Sequence, residues 1–67
     1  MPGIRTDDIV FIRALAEENL NMTRAAKNIS YSYNAVAWHR KRVKESTGLD
    51  PCNFYDMVKL LKMIEGR

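Results

Sequence analysis

The chain has 67 residues, 46% hydrophobic and 28% charged, a composition that fits one small folded domain and excludes both a disordered tail and several domains. Eleven basic residues against eight acidic ones leave a net charge of +3. A catalytic pocket with its own lid and cofactor crevice does not fit easily in that length, so neither an enzyme nor a cofactor is expected.

Residues 1–5 read as a flexible N-terminus and residues 6–65 as the domain. The first helix is predicted at about 7–18, with Thr6 as N-cap and Asp7 and Asp8 at the positive end of the helix dipole. Ile9, Ile12, Leu15 and Ala16 share one face, with Phe11 beside them, and Asn19 suits the left-handed conformation that ends a helix. A short second helix at 22–28 is capped by Asn21, and its Ala25 and Ala26 are small enough for another helix to approach closely. The third helix, 33–47, takes Ser32 as N-cap, with Tyr31 and Val36 spaced as a hydrophobic staple. Gly48 stops it in the left-handed region, with Leu49 available for an apolar contact. The fourth helix starts at Asn53 or Phe54, with Asn53 and Asp56 as a capping box, or earlier with Asp50 as cap and Pro51 first; it runs to about Glu65. Phe54, Met57, Val58, Leu61 and Ile64 form its predicted inner face. Tyr55, Leu60 and Met63 then lie outside it, and this surplus apolar surface implies a weak homodimer through the C-terminal helix.

No uninterrupted apolar run exceeds the four residues of 9–12, far too short to span a bilayer, and no secretory signal pattern opens the sequence, so no membrane partner and a reducing cytoplasm are expected. One cysteine, Cys52, allows no internal disulfide, and with a single histidine, His39, it makes no metal set. Two glycosylation sequons, at Asn21 and Asn28, read as chance without a secretory signal. Cys52 reads as structural and His39 as a surface or half-buried histidine. The acidic pairs Asp7–Asp8 and Glu17–Glu18 read as helix-end residues rather than catalytic ones.

The positive charge is segregated. Residues 1–22 carry a net −2, residues 23–49 a net +5, and residues 50–67 cancel. A basic block between acidic and neutral segments points to a surface that meets an anion, and nucleic acid is the leading candidate. The block coincides with helix, turn, helix, the DNA-binding arrangement in which a short helix crosses a longer recognition helix. Ala26 supplies the small residue in the short helix. Ser30 stands at a turn position where glycine is common, and a left-handed serine there carries strain of about 1 kcal/mol.

At about 100° per residue, Val36, Val43 and Thr47 point inward on the third helix, while Asn34, Trp38, Lys41 and Glu45 point outward, flanked by Ala37 and Arg42. Asparagine can pair bidentately with adenine, and lysine and arginine can read guanine or hold phosphate. Ser32, Tyr33 and the amides at the helix start suit a backbone phosphate. Thr23, Arg24 and Lys27 on the second helix join Ser32, Tyr33, Asn34, Trp38, Lys41 and Arg42 as the candidate contacts to double-stranded DNA. Trp38 either stacks or wedges at DNA, or packs under the fourth helix or in a dimer. Neutralising four or five phosphates implies a slope of roughly −4 in log affinity against log salt.

From about Ile12 to Asp50 the sequence resembles, without a gap, the C-terminal helix-turn-helix domain of PucR-type transcription regulators. The resemblance lies in Glu17, Asn19, Asn21, Ala26, Ile29, Asn34, Val36, Trp38, Arg42 and Val43, then Glu45 and the run Thr47, Gly48, Leu49, Asp50. It implies an all-α, four-helix helix-turn-helix domain with no sheet, sequence-specific DNA binding and bacterial-type transcription regulation. Three positions depart from the family: Ala35 replaces a threonine, His39 an arginine and Arg40 a core leucine. Arg40 is expected to lay its stem over the core and reach Glu17 or Glu18 on the first helix. The sensor domains that precede the module in that family have no counterpart in these residues. LysR-type and ModE-type N-terminal domains are also similar, the LysR pattern needing a one-residue gap before Asn21. The alternative function is a protein-interaction module that keeps this fold and binds a partner through its apolar fourth helix.

Overall fold

The computed structural model describes residues 5–66. Within them the chain is all-helical: α1 (Thr6–Glu17), α2 (Met22–Asn28), α3 (Tyr33–Thr47) and α4 (Phe54–Glu65). No strand occurs among the described residues, and no helix there is long and apolar enough to cross a membrane. Most of the N-terminal segment expected to be flexible lies outside the described residues. Its last member, Arg5, belongs to the domain as the N-cap of α1.

Thr6 is therefore the first residue of α1 and not its cap. The reason lies in Asp8, which is fully buried and turns its Oδ2 back to accept from the Arg5 amide at 3.3 Å. The Asp8 amide, the donor that a cap hydroxyl would take, donates to Asp7 Oδ1 at 3.1 Å, so α1 starts without a hydroxyl cap. The other three N-caps act as the sequence implies. Asn21 accepts from the Arg24 amide at 3.0 Å, Ser32 from Ala35 at 3.1 Å and Asn53 from Asp56 at 3.1 Å.

Two successive helices end in the same way. After α1, Asn19 has φ 56° and Leu20 φ 65°, and the Leu20 amide donates to the Leu15 carbonyl at 2.8 Å. After α2, Ser30 has φ 58°, and the Tyr31 amide donates to Ala26 at 2.8 Å. Both are Schellman closures, which reverse the chain within a few residues and drive the next residue, Leu20 or Tyr31, back onto the core. Neither Leu20 nor Ser30 is a glycine, so each holds a left-handed backbone at a cost of about 1 kcal/mol. α3 ends at Gly48, φ 75°, the residue type for which that conformation carries no penalty.

α1 is the centre of the bundle. It packs against α2, α3 and α4, whereas α4 packs on α1 alone. α4 therefore covers α1 and neither α2 nor α3. Because α1 has neighbours on several sides, its buried arc is wide: Phe11, Ile12, Ala14 and Leu15 are all enclosed. Ala25 and Ala26 let α2 lie close, and Val36 and Val43 close the core from α3.

The inward face of α4 is Met57, Leu60 and Ile64, with Leu61 partly buried beside them. That spacing of 3, 4 and 7 is one helical stripe. Leu60 is 0% exposed, while Phe54 is 65% and Val58 36% exposed, so the predicted face was rotated by roughly one residue. Leu60 belongs to the core and is not free for a second subunit. The α3–α4 connection is fastened by Asp50. Its two carboxylate oxygens take Arg40 Nε and Nη2 at 3.2 and 3.1 Å, Oδ1 also takes the Cys52 amide, and the Asp50 amide donates to Asp56. Arg40 thus pairs with this loop, and not with Glu17 or Glu18 as expected.

Candidate nucleic-acid interface

The outward side of α3 is covered by no other helix. Tyr33 is 55% and Trp38 53% exposed, and Asn34, Lys41, Lys44 and Glu45 are exposed with them. Asn34 makes no hydrogen bond and Lys41 no ion pair among the described residues, so both side chains are available to a ligand. Tyr33, Ala37, Arg40, Lys41 and Lys44 line a shallow groove that reaches Met22 at the start of α2. The structure therefore brings Tyr33, Asn34, Trp38 and Lys41 onto one continuous surface with the beginning of α2.

The remaining candidates separate. Thr23 and Lys27 are exposed on α2, and Lys27 stands with Arg24 and Asn28 near the end of α1. Arg24 meets Glu18 at 3.2 Å with its side chain 72% exposed. A pair so open contributes little and exchanges readily. The Ser32 hydroxyl is occupied as the cap of α3, although its lone pairs and hydrogen are not exhausted by one accepted bond.

Arg42 is the departure with most consequence. Its Nη2 donates to Asp7 Oδ1 at 3.1 Å and to Asp8 Oδ1 at 2.8 Å, and its guanidinium carbon lies 4.4 Å from the centre of the Trp38 ring. The side chain is only 22% exposed. Arg42 is thus a neutralised, stacked residue and not a free cation on the outer surface. Its Nε is buried without a hydrogen-bond partner.

Asp8 also receives His39. The Nδ1 of His39 lies 2.9 Å from Asp8 Oδ1, and both side chains are almost wholly enclosed. The imidazole sits among aromatic rings, with Phe11 at 6.0 Å, Tyr31 at 5.7 Å and Trp38 edge-on at 5.0 Å between centroids. Burial alone would raise the Asp8 carboxyl, but hydrogen bonds from Arg42, His39 and the Arg5 amide outweigh it and hold the group below its ordinary range. The hydrogen bonds of Arg40 hold Asp50 low in the same way, against the opposing effect of burial.

This buried Asp8–His39–Arg42 cluster was missed from sequence because its members lie 31 and 34 residues apart. The available signal was the one histidine of the sequence, inside a helix that carries basic side chains, together with the two carboxylates on the first turn of the first helix. Among the described residues, no serine or cysteine joins the Asp8–His39 pair by a hydrogen bond. Burial pushes the Cys52 thiol up and away from its reactive form. No group of three metal-ligating side chains occurs among the described residues.

The electrostatic map differs from the sequence tally. Arg24, Arg40 and Arg42, half of the six cations in the middle block, are each tied to a carboxylate from outside it: Glu18, Asp50, and Asp7 with Asp8. Lys27, Lys41 and Lys44 are left without an ion pair among the described residues. In comparisons with known proteins, no family model, no curated protein and no solved structure matches this chain.

Proposed function

We propose that the chain is a sequence-specific, double-stranded-DNA-binding module of the helix-turn-helix kind, without enzymatic activity, that regulates transcription in the cytoplasm. The PucR-type resemblance is part of this proposal, with the LysR and ModE types as its runners-up. One observation carries it. The outward face of α3 presents Asn34, Trp38 and Lys41 uncovered, next to a cationic groove that opens toward α2. A helix so presented fits a major groove, with Asn34 placed for a base edge and Tyr33, Lys41 and Lys44, together along one side of it, for the backbone.

Binding of the chain to random-sequence duplex across a salt series tests the proposal. Three unpaired lysines, each releasing one counterion, give a slope near −3 in log affinity against log salt, shallower than the −4 that the sequence alone implies. A slope near zero refutes DNA binding. A slope of −5 or steeper means that the arginines leave their carboxylates on the duplex.

A second reading is favoured by a different observation. Phe54 and Tyr55 open α4 with 65% and 76% of their surface exposed, their rings edge to face at 5.5 Å. In this reading the chain binds a protein through that patch and DNA not at all, and the salt series separates the two. Within the DNA reading, the same two rings replace Leu60 as the surface for a weak homodimer, which would double the recognition helix on DNA. Tyr55→Lys should then remove any concentration dependence in sedimentation.

A further inference from the structure

We infer that Trp38 reads thymine methyl groups in the major groove, and that Arg42 is the positioning residue that holds the Trp38 ring in place instead of a phosphate contact. The inference rests on the DNA-binding reading and goes beyond it by naming a base feature and reassigning a cation.

Trp38 stands one helical turn after Asn34 on the uncovered face of α3, 53% exposed. An exposed tryptophan would ordinarily sample several rotamers, but this one is gripped twice. The Arg42 guanidinium lies over its ring at 4.4 Å, and the His39 ring meets it edge-on at 5.0 Å and 76°. Both grips lead back to one anchor. Asp8, 0% exposed, takes His39 Nδ1 at 2.9 Å and Arg42 Nη2 at 2.8 Å. The ring is therefore ordered before any ligand arrives, and little rotamer freedom remains to be lost on binding.

The indole carries one N–H donor and is otherwise apolar. In the major groove the apolar feature that a base pair offers is the C5-methyl of thymine. Arg42, by contrast, is poorly placed for phosphate. Its charge is met by two carboxylates, and one of these, Asp7, is 48% exposed and would repel a phosphate drawn to the same spot. A planar guanidinium can lie flat on an indole, whereas an ammonium on a flexible stem has no plane to stack.

The test uses the full chain and a duplex obtained by selection from a random pool, prepared with thymine and again with deoxyuridine. Trp38 is the only tryptophan of the chain, so its emission reports this residue alone. Expected are a change in Trp38 emission on binding and a loss of about threefold to fivefold in affinity for each contacted methyl removed. Trp38→Ala should abolish the preference for thymine over uracil. Arg42→Lys, which keeps the charge, should shrink that preference and leave the salt slope unchanged. If Arg42→Lys loses its helical circular dichroism, Arg42→Met, which fills similar space without a planar group, is read for the thymine preference alone. Binding with unchanged emission and a thymine-to-uracil ratio near one overturns the role of Trp38 while DNA binding stands. An undiminished ratio in the Arg42 variant overturns the positioning role. Failure to bind any duplex overturns both readings together.

Discussion

Asp8→Asn isolates the charge of the buried cluster, because the amide has nearly the shape of the carboxylate it replaces. In the native fold the Asp8 carboxylate meets His39, Arg42 and the Arg5 amide with none of its surface in water. Removing one partner of a fully buried pair costs about 3–5 kcal/mol. Arg42 is partly open to solvent and keeps Asp7, which brings the expected loss for Asp8→Asn to about 2–3 kcal/mol. A domain of this length has a total stability of about 3–10 kcal/mol, so the variant should be severely weakened. Urea unfolding followed by circular dichroism at neutral pH measures this. With a slope of about 1 kcal/mol per molar urea, the midpoint should fall by roughly 2–3 M at unchanged slope. Asp7→Asn is the control, since it removes a half-exposed partner of the same arginine and should cost less than about 1 kcal/mol. A loss from Asp8→Asn no larger than that from Asp7→Asn would refute the view that burial makes this carboxylate important.

Acid should act through the same carboxylates. Asp8 and Asp50 are held below their ordinary value of 3.8, so in the unfolded chain they bind protons more readily than in the fold. Their contribution is fully present above about pH 4–5 and is lost as pH falls through the lower folded values, which urea midpoints between pH 7 and pH 2 should trace; Asp50→Asn should flatten part of that fall. Ser30→Gly should stabilise the domain by about 0.5–1 kcal/mol in the same assay, because glycine adopts the left-handed turn after α2 without strain. Leu60→Ala should cost about 2–5 kcal/mol by opening the core, whereas Tyr55→Ala on the exposed side of α4 should stay within about 0.5 kcal/mol.

The legible parts of the fold were those fixed by neighbours in sequence. The bounds of α2 and α3 follow from Asn21, Ser32 and Gly48, each of which acts on backbone within a few residues of itself. The left-handed turns at Asn19 and Ser30 were legible for the same reason. Leu20 was not, since nothing in a leucine announces a positive φ. The start of α1 escaped because Asp7 and Asp8 take the amides of Asp8 and Arg5, and the position of Asp8 depends on α3. The facing of α4 escaped because apolar residues surround most of the helix, so two adjacent stripes fit the periodicity about equally. Only packing on α1 selects Met57, Leu60 and Ile64. In the candidate interface, angle placed Asn34, Trp38 and Lys41 outward as found, but angle carries no information about ion pairs. Arg24 and Arg42, read as free charge, are bound to carboxylates that come from other segments, and Arg40, expected on Glu17 or Glu18, is bound to Asp50.

The attachment of α4 to α1 alone sets an order of opening. Lifting α4 away takes Met57, Leu60 and Ile64 out of the core and breaks no helix–helix contact except that with α1. The unit left behind, α1 to α3, retains its two Schellman turns and the Asp8–His39–Arg42 cluster that fastens the first helix to the third. A partly opened form is therefore expected, in which the amides of α4 exchange their hydrogens ahead of those in the middle of α3, and native-state hydrogen exchange checks it. In that form the apolar face of α1 is bare and the proposed DNA-facing side of α3 is untouched, so the last helix can yield to another apolar helix without disturbing that side.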